Sequence, residues 1–456
     1  MKAPFQVQFI GATGTVTGSK YLISYDRYKI LVDCGLFQGI KNVRSRNWSD
    51  LPFQASELNA VLLTHAHIDH SGYLPALMKR GYHGSIHCSD ATKALCKVLL
   101  PDAGFLQEED AKYANKKRFS KHEPAEPLYT EDDARKVLKQ FKSVPFRQQI
   151  DLPGGMTAEF IPVGHILGAS AIRLEYKGTS ITFSGDVGRQ NDVVMYPPEP
   201  LPTTDYLVVE STYGDRLHED VNEEEVIASI VNRTAQRGGI VLMPAFAVGR
   251  AQMVLHVLEK LRAQNRIPHM PVYLNSPMAI KATEIFYDLH DLHKLNKDDC
   301  QRIDEMTHYV KTVEESIELN GRKYPSIIIS ASGMASGGRV LHHLKTLVRD
   351  PKNSILFLGY QAAGTRGDAM THGAERVKIH GMYFPVKAEV HNLQALSSHG
   401  DYQEILHWLK QMPAKPKKVF ITHGESSAAD AMRLQLQDEL GWHAIVPEYL
   451  DTEVLR

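Results

Sequence analysis

Residues 64–72 read THAHIDHSG, which places His65, His67, Asp69 and His70 within six consecutive positions directly after the apolar run AVLL. Imidazoles and carboxylates crowded at the end of a buried strand are costly unless they are paired or hold a cation. Four donors this close cannot all reach one tetrahedral ion without severe backbone strain, so the spacing points to two ions. His65 and His67, one residue apart, can project to the same side of an extended segment, whereas Asp69 and His70 lie on the turn beyond and reach a second ion. The bland alternative is a surface histidine cluster ahead of a helix, with Asp69 as its N-cap.

Other strand-like runs also end in residues able to ligate. FIPVGH ends at His165, SITFSGD at Asp186, YLVVE at Glu210 and VFITHG at His423. In open α/β sheets ligands gather at the carboxyl ends of strands, where these distant positions can converge. Each alone reads as a turn histidine, a turn carboxylate or a salt-bridged strand end; together they predict a metal centre.

The elements that must position them fall into three segments. Residues 1–210 open with short β-like runs, FQVQFI, then YLISY and YKILVD around a DR turn, then AVLL. Helical spacing follows in SGYLPALMKRGY and ATKALCKVLL, and FIPV, AIRLEY and SITFSG return to strand character. Over 211–384 helices alternate with the strands IVLMPA, PVYLNS, SIIISAS and SILFLGY, which predicts a parallel, doubly wound α/β domain. Near 385 the chain changes character again, with the helix YQEILHWLKQM, the strand KVFITHG and the helix SAADAMRLQLQDEL over residues 385–456.

Bulk properties narrow the class. At 456 residues the chain exceeds one ordinary core, so two domains are expected. Lys plus Arg (52) nearly cancels Asp plus Glu (53), so any nucleic-acid site must be a local basic surface. No apolar run approaches a membrane span, and the amino-terminal stretch is too short for a signal peptide, which predicts a cytoplasmic protein with no membrane partner. The four cysteines are scattered without a CxxC pair, so buried thiols are expected and not a cysteine zinc cluster.

HAHIDH, with DCG before it and isolated GH, GD and HGE after it, resembles the metallo-β-lactamase superfamily. The middle segment, with ESTYG, MPAFAVGRAQ, NSPMA and SASGMASGGRVLHHL, resembles the β-CASP branch of RNA- and DNA-processing nucleases. It is similar to bacterial and archaeal relatives of the cleavage subunit of messenger-RNA 3′-end processing. The resemblance implies a fold, a metallo-β-lactamase αββα sandwich over 1–210 with a doubly wound β-CASP domain inserted over 211–384 and a return to the first domain over 385–456. It also implies two zinc ions, with manganese the alternative: one held by His65, His67 and His165, a second by Asp69, His70 and His423, with Asp186 bridging. Asp33 in ILVDCG matches the acid that orients the metal loop. Glu210 and His399 match further motif positions, the acid of ESTYG and the histidine of LSSHGD; His391 in VHNLQ competes for the latter role but lacks the small flanking residues.

The expected activity is RNA phosphodiester hydrolysis, in which a metal-bridging hydroxide attacks phosphorus while His399, oriented by Glu210, protonates the departing 3′ oxygen. The products would be a 5′ phosphate and a 3′ hydroxyl, and Asp69, Glu210 and His399 are the expected catalytic residues. The implied family uses its middle domain as a lid over the metals. SASGMASGGR and NSPM offer small residues and N–H groups near helix starts, making Ser332, Gly333 and Arg339 candidate phosphate contacts, against the plainer possibility of tight strand-to-helix turns. The basic run 112–122, KYANKKRFSKH, is either an RNA guide or a solvated helix face. Histidine at 423 resembles RNA-processing members, so single-stranded RNA is the expected partner. GATGTVTGS is not a nucleotide cofactor site, because KYLISY after it reads as a strand where a dinucleotide fold needs a helix. A small-molecule thioester or lactam hydrolase and a non-catalytic RNA-binding scaffold are the alternative functions; the long insertion opposes the first and the complete ligand set the second.

Overall fold

The structure, a computed structural model, describes residues 3–118, 122–362 and 364–456. It forms two compact units, one comprising Met1–Asp192, Tyr196–Leu217 and His399–Arg456, the other Val193–Met195 and His218–Ser398.

The first unit contains two seven-stranded sheets. One runs, in spatial order, Thr452–Val454, Ala3–Phe9, Tyr21–Asp26, Tyr28–Val32, Ala60–Leu62, Ser85–Cys88 and Phe141–Ser143; the other runs Ala444–Ile445, Lys418–Thr422, Tyr206–Glu210, Thr179–Phe183, Ser170–Tyr176, Met156–Pro162 and Gln149–Leu152. Period-two patterning drives their packing: Phe5, Val7 and Phe9 are buried while Gln6 and Gln8 are half-buried. Those inward residues join Tyr21 and Ile23 and meet Phe160, Ile172, Leu174, Phe183 and Phe420 of the second sheet in one core. The Phe9 and Phe420 rings lie 5.1 Å apart, so the two sheets are in direct contact. Asp90–Lys117 packs beside Phe141–Ser143, and Ser426–Leu440 beside Lys418–Thr422, completing the expected αββα layering. The basic run 112–122 continues the first of these helices to Lys117; its residues 119–121 lie outside the described residues.

Strand direction decides where the polar ends go. Thr179–Phe183, Tyr206–Glu210 and Lys418–Thr422 are mutually parallel. Met156–Pro162 is antiparallel to Ser170–Tyr176, itself antiparallel to Thr179–Phe183, so it points the same way as these three. His165, Asp186, Glu210 and His423 therefore leave one sheet at one edge. In the other sheet the parallel strands Tyr28–Val32 and Ala60–Leu62 deliver Asp33 and Thr64 at their own carboxyl ends.

The second unit is built on six parallel strands in the order Thr307–Tyr309, Val272–Leu274, Ser326–Ser330, Ile240–Pro244, Ser354–Leu358 and Glu389–Leu393. The chain enters at Ile240–Pro244, winds to one edge, then returns and winds to the other, the doubly wound order expected. Its limits differ from 211–384, running from His218 to Ser398 with Val193–Met195 added. The carboxyl-side difference has a physical cause: Glu389–Leu393 is a half-buried edge strand, EVHNL, without the apolar run that marks the central strands. The hairpin Arg376–Ile379 and Met382–Pro385 was not legible in the sequence either. Among the described residues no helix is long and apolar enough to cross a membrane, and the four cysteines are free and buried.

Candidate metal centre

His65 and His67 sit in the extended segment after Ala60–Leu62, and Asp69 and His70 in the short helix Ile68–Ser71. His65 Nε2 and His165 Nε2 stand 3.2 and 3.1 Å from His67 Nδ1, and each lies 3.5 Å from Asp186 Oδ2. Beside this set, His70 Nε2 is 3.1 Å from His423 Nε2 and 3.2 Å from Asp186 Oδ1, while Asp69 Oδ2 is 3.4 Å from His423 Nε2 and 3.8 Å from His70 Nε2. Donors bound tetrahedrally at zinc distances stand roughly 3.3 Å from one another. Imidazole nitrogens facing each other at that spacing fit a cation better than they fit one another. Asp186 is buried and turns one oxygen to each set.

Neighbouring hydroxyls and carboxylates assign the histidine tautomers. Asp33 accepts from Thr64 N–H and Thr64 Oγ1 and lies 2.7 Å from His70 Nδ1, which leaves His70 Nε2 to face the site. With its proton donated to Asp33, Thr64 Oγ1 accepts from His65 Nδ1 at 3.1 Å. Thr212 Oγ1 donates to Glu210 at 2.5 Å and lies 3.2 Å from His423 Nδ1, so His423 is held in the same way. Asp33 and His423 adopt left-handed backbone, φ 56° and 50°, where glycine would be easier, a cost retained where the side chain is needed. Glycine is required at position 35: a Cβ there would lie 1.5 Å from the Asp69 carbonyl oxygen.

Burial holds the His65 imidazole well below its ordinary pKa and His67 down to about 4. Both are therefore neutral at pH 7, the form in which imidazole can bind a metal. Burial also pushes His70 down, but the Asp186, Asp33 and Asp69 carboxylates together outweigh it and hold His70 well above the ordinary value. Asp186, pushed up by burial, is drawn well below the carboxylate range by His423, His70 and His65.

Glu210, buried at its strand end, accepts from Val187 N–H at 2.5 Å and faces His399 Nδ1 at 3.1 and 3.2 Å. His399 precedes the helix Tyr402–Leu409, and its ring lies 4.5 Å from that of His165, with Nδ1 4.0 Å from Asp186 Oδ2. His391 lies elsewhere, on the edge strand Glu389–Leu393, 3.2 Å from Glu389.

The phosphate candidates follow Ser326–Ser330. Ser332 Oγ accepts from Ser336 N–H at 3.1 Å, and a Cβ at Gly333 would press on the Phe246 ring at 2.7 Å. Arg339 Nη1 donates to Asn275 Oδ1 and the Val310 carbonyl, and Nη2 to the Lys311 carbonyl. GATGTVTGS forms bends leading into Tyr21–Asp26, as expected, and Ser19 N–H donates to the Asp69 carbonyl.

Sequence reasoning missed Thr64 and Thr212, although each abuts a motif residue. It also missed Lys20, whose ammonium is buried between the Phe37 and Tyr73 rings, donates to the Gly35 carbonyl and is held down to about 8 by burial. Only the SKYL context marks that position.

Residues 13–223 match the metallo-beta-lactamase superfamily, residues 251–370 the Beta-Casp domain, and residues 383–447 the Zn-dependent metallo-hydrolase RNA specificity domain. The chain is 33% identical over 426 residues to Ribonuclease TTHA0252 of Thermus thermophilus, covering 91% of this chain and 92% of that protein. The chain belongs to the β-CASP branch of the metallo-β-lactamase superfamily. This β-CASP protein is also 30% identical to Transcription termination factor FttA of Methanosarcina mazei, with 93% of this chain and 67% of that one covered. To Cleavage and polyadenylation specificity factor 73 of Drosophila melanogaster it is 29% identical, with 95% and 62% covered. A crystal structure of a protein of unknown function from Enterococcus faecalis V583 shares the fold, with a TM-score of 0.55 at 14% identity over 99% of this chain and 100% of that one. The β-CASP chain is thus a member of a zinc-dependent metallo-hydrolase family, and its histidine and aspartate cluster is a candidate metal site.

Proposed function

We infer that this protein is a zinc-dependent ribonuclease that hydrolyses phosphodiester bonds of single-stranded RNA, leaving 5′ phosphate and 3′ hydroxyl, in RNA processing or transcription termination. The observation that carries this is Asp186, with one carboxylate oxygen turned to each of two donor sets at metal-ligand spacing. His65, His67 and His165 would hold one ion and Asp69, His70 and His423 another, with Asp186 between them. When bound, such ions lower the pKa of a water to make a nucleophile near neutral pH and neutralise charge on phosphoryl oxygens.

The protein's own groups do the rest. Glu210 holds the His399 imidazolium by its Nδ1–H, so that Nε2 carries the proton the departing 3′ oxygen needs. Hydroxide oxygen, its water's proton already released to solvent, bonds to phosphorus as the bond to the 3′ oxygen breaks, and His399 supplies the leaving group's proton. Ser332 and Gly333, in a loop at the carboxyl end of a parallel strand, are suited to cradle a backbone phosphate. Arg339 would act there by fixing Asn275 and the Val310 and Lys311 carbonyls.

The experiment is cleavage of a 5′-labelled RNA and its DNA counterpart by protein of measured zinc content, beside thioester and lactam substrates. RNA cleavage lost on chelation and restored by zinc is expected. Hydrolysis of a thioester or lactam with RNA left intact would make the protein a small-molecule hydrolase, and absence of bound zinc would make it a scaffold.

Asp33→Ala tests the tautomer network. Freed of its acceptor, His70 can turn, and zinc affinity is expected to drop about 10- to 100-fold. Buried donors left unpaired should also cost roughly 1–3 kcal/mol of stability. Zinc competition against a chromophoric chelator and denaturant melts read both; unchanged affinity would remove Asp33 from the metal centre.

A further inference from the structure

The hairpin Arg376–Ile379 and Met382–Pro385 forms a sheet of its own, with Lys378 opposite Tyr383 and Arg376 opposite Pro385. Its inner face accounts for its attachment, because Val377 and Ile379 are buried in the second unit's core with Phe384 packed against it. Its outer face has no such role. Tyr383, on the face it shares with Lys378, is 63% exposed, a large value for a residue of this size. The Arg376 guanidinium and the Lys378 ammonium lie 5.6 and 5.7 Å from the Tyr383 ring centroid. Neither cation forms an ion pair among the described residues, and segment 374–387 carries Arg376, Lys378 and Lys387 against one carboxylate, Glu375.

An exposed ring flanked by unneutralised cations is what a single strand requires: an unstacked base covers the ring, and its phosphates meet the charges. A duplex offers no free base face. The hairpin is also tied to the Ser332–Ser336 loop. Arg366 Nε donates to the Lys378 carbonyl at 2.6 Å, and Nη1 to the Ala335 and Ser336 carbonyls at 3.2 Å. Gly367 N–H donates to the Met334 carbonyl at 3.1 Å. One guanidinium thus spans the hairpin and the loop suited to phosphate.

We propose that the outer face of this hairpin is an accessory binding surface for single-stranded RNA, with Tyr383 stacking on a base and Arg376 and Lys378 meeting adjacent phosphates. It extends the phosphate cradle of the Ser332–Ser336 loop, and it rests on the ribonuclease function proposed above.

The test is the affinity of the full chain, in an Asp69→Ala background that leaves RNA uncut, for a fluorescent oligouridylate, measured by anisotropy across a salt series. Tyr383→Ala is expected to weaken binding about tenfold, while Tyr383→Phe, which keeps the ring, stays near the parent. Arg376→Glu with Lys378→Glu should make the slope of log affinity against log salt shallower by about 1.4, the value for two lost single-strand phosphate contacts. Affinity within twofold of the parent for both Tyr383→Ala and the double variant would overturn the hairpin assignment. So would sedimentation showing that these changes abolish self-association while RNA affinity holds, because the face would then be a protein contact. Wild-type cleavage run in parallel separates the two failures. If the wild type cuts RNA and the variants bind like the parent, only the hairpin assignment falls; if the wild type neither cuts nor binds RNA, the ribonuclease function falls and takes the hairpin with it.

Discussion

Asp186→Ala is expected to reduce RNA cleavage by about 10³-fold or more, because several kcal/mol of transition-state charge stabilisation depend on the metal site it completes. Bound zinc should fall from about two ions per chain to one or fewer, since one oxygen of Asp186 serves each donor set. The loss reaches further than one ligand. Asp186 is the buried carboxylate that His65, His70, His165 and His423 share within 3.5 Å. Without it four imidazoles crowd together with no common anion, and the second set keeps only Asp69 to balance the ion's charge. Metal analysis and single-turnover cleavage read both effects; two zinc ions and wild-type cleavage in Asp186→Ala would exclude a bridging role.

His399→Ala is expected to slow cleavage about 10²- to 10⁴-fold, the range for losing a positioned general acid, with zinc content unchanged. Its partner should behave differently. Glu210→Gln keeps an oxygen that can accept from Nδ1 but removes the negative charge that stabilises the imidazolium, so a smaller loss in kcat with little change in KM is expected. A substrate whose leaving group needs no proton separates acid catalysis from structural damage. Toward a nitrophenyl phosphodiester, His399→Ala should retain most of the wild-type rate, because nitrophenolate departs unaided. An equal loss on RNA and on the activated ester would assign His399 to binding or folding.

Glu210 and His423 share one hydrogen-bond partner. Thr212 donates to Glu210 and accepts from His423, so one hydroxyl would join the proposed metal set to the proposed proton donor. A substitution at Thr212 therefore touches both functions, which separate tests of either residue would miss.

Much of this was legible in residue types and spacing. HAHIDH reads as a two-ion motif because four donors in six positions cannot all reach one tetrahedral ion, and a polar residue closing an apolar strand marks His165, Asp186, Glu210 and His423 as candidates. The alternation of helices with apolar strands likewise predicts the parallel second unit, because a strand buried on both faces must be apolar throughout. Local sequence carried these features because local geometry and burial cause them.

Only the tertiary structure decided the rest. Asp33 lies 37 positions from His70, and Thr212 lies 211 from His423; strand order alone brings each pair within hydrogen-bond reach. The edge strand Glu389–Leu393 and the hairpin Arg376–Pro385 escaped the sequence for the same reason: half-exposed strands need little hydrophobic pattern once a partner strand supplies their hydrogen bonds. The partners of Arg339 were out of reach of the sequence because they are an asparagine and two carbonyls from other segments. Chain spacing determined which residues could bind metal; packing determined which atoms face one another, because long-range contacts leave no mark on neighbouring residues.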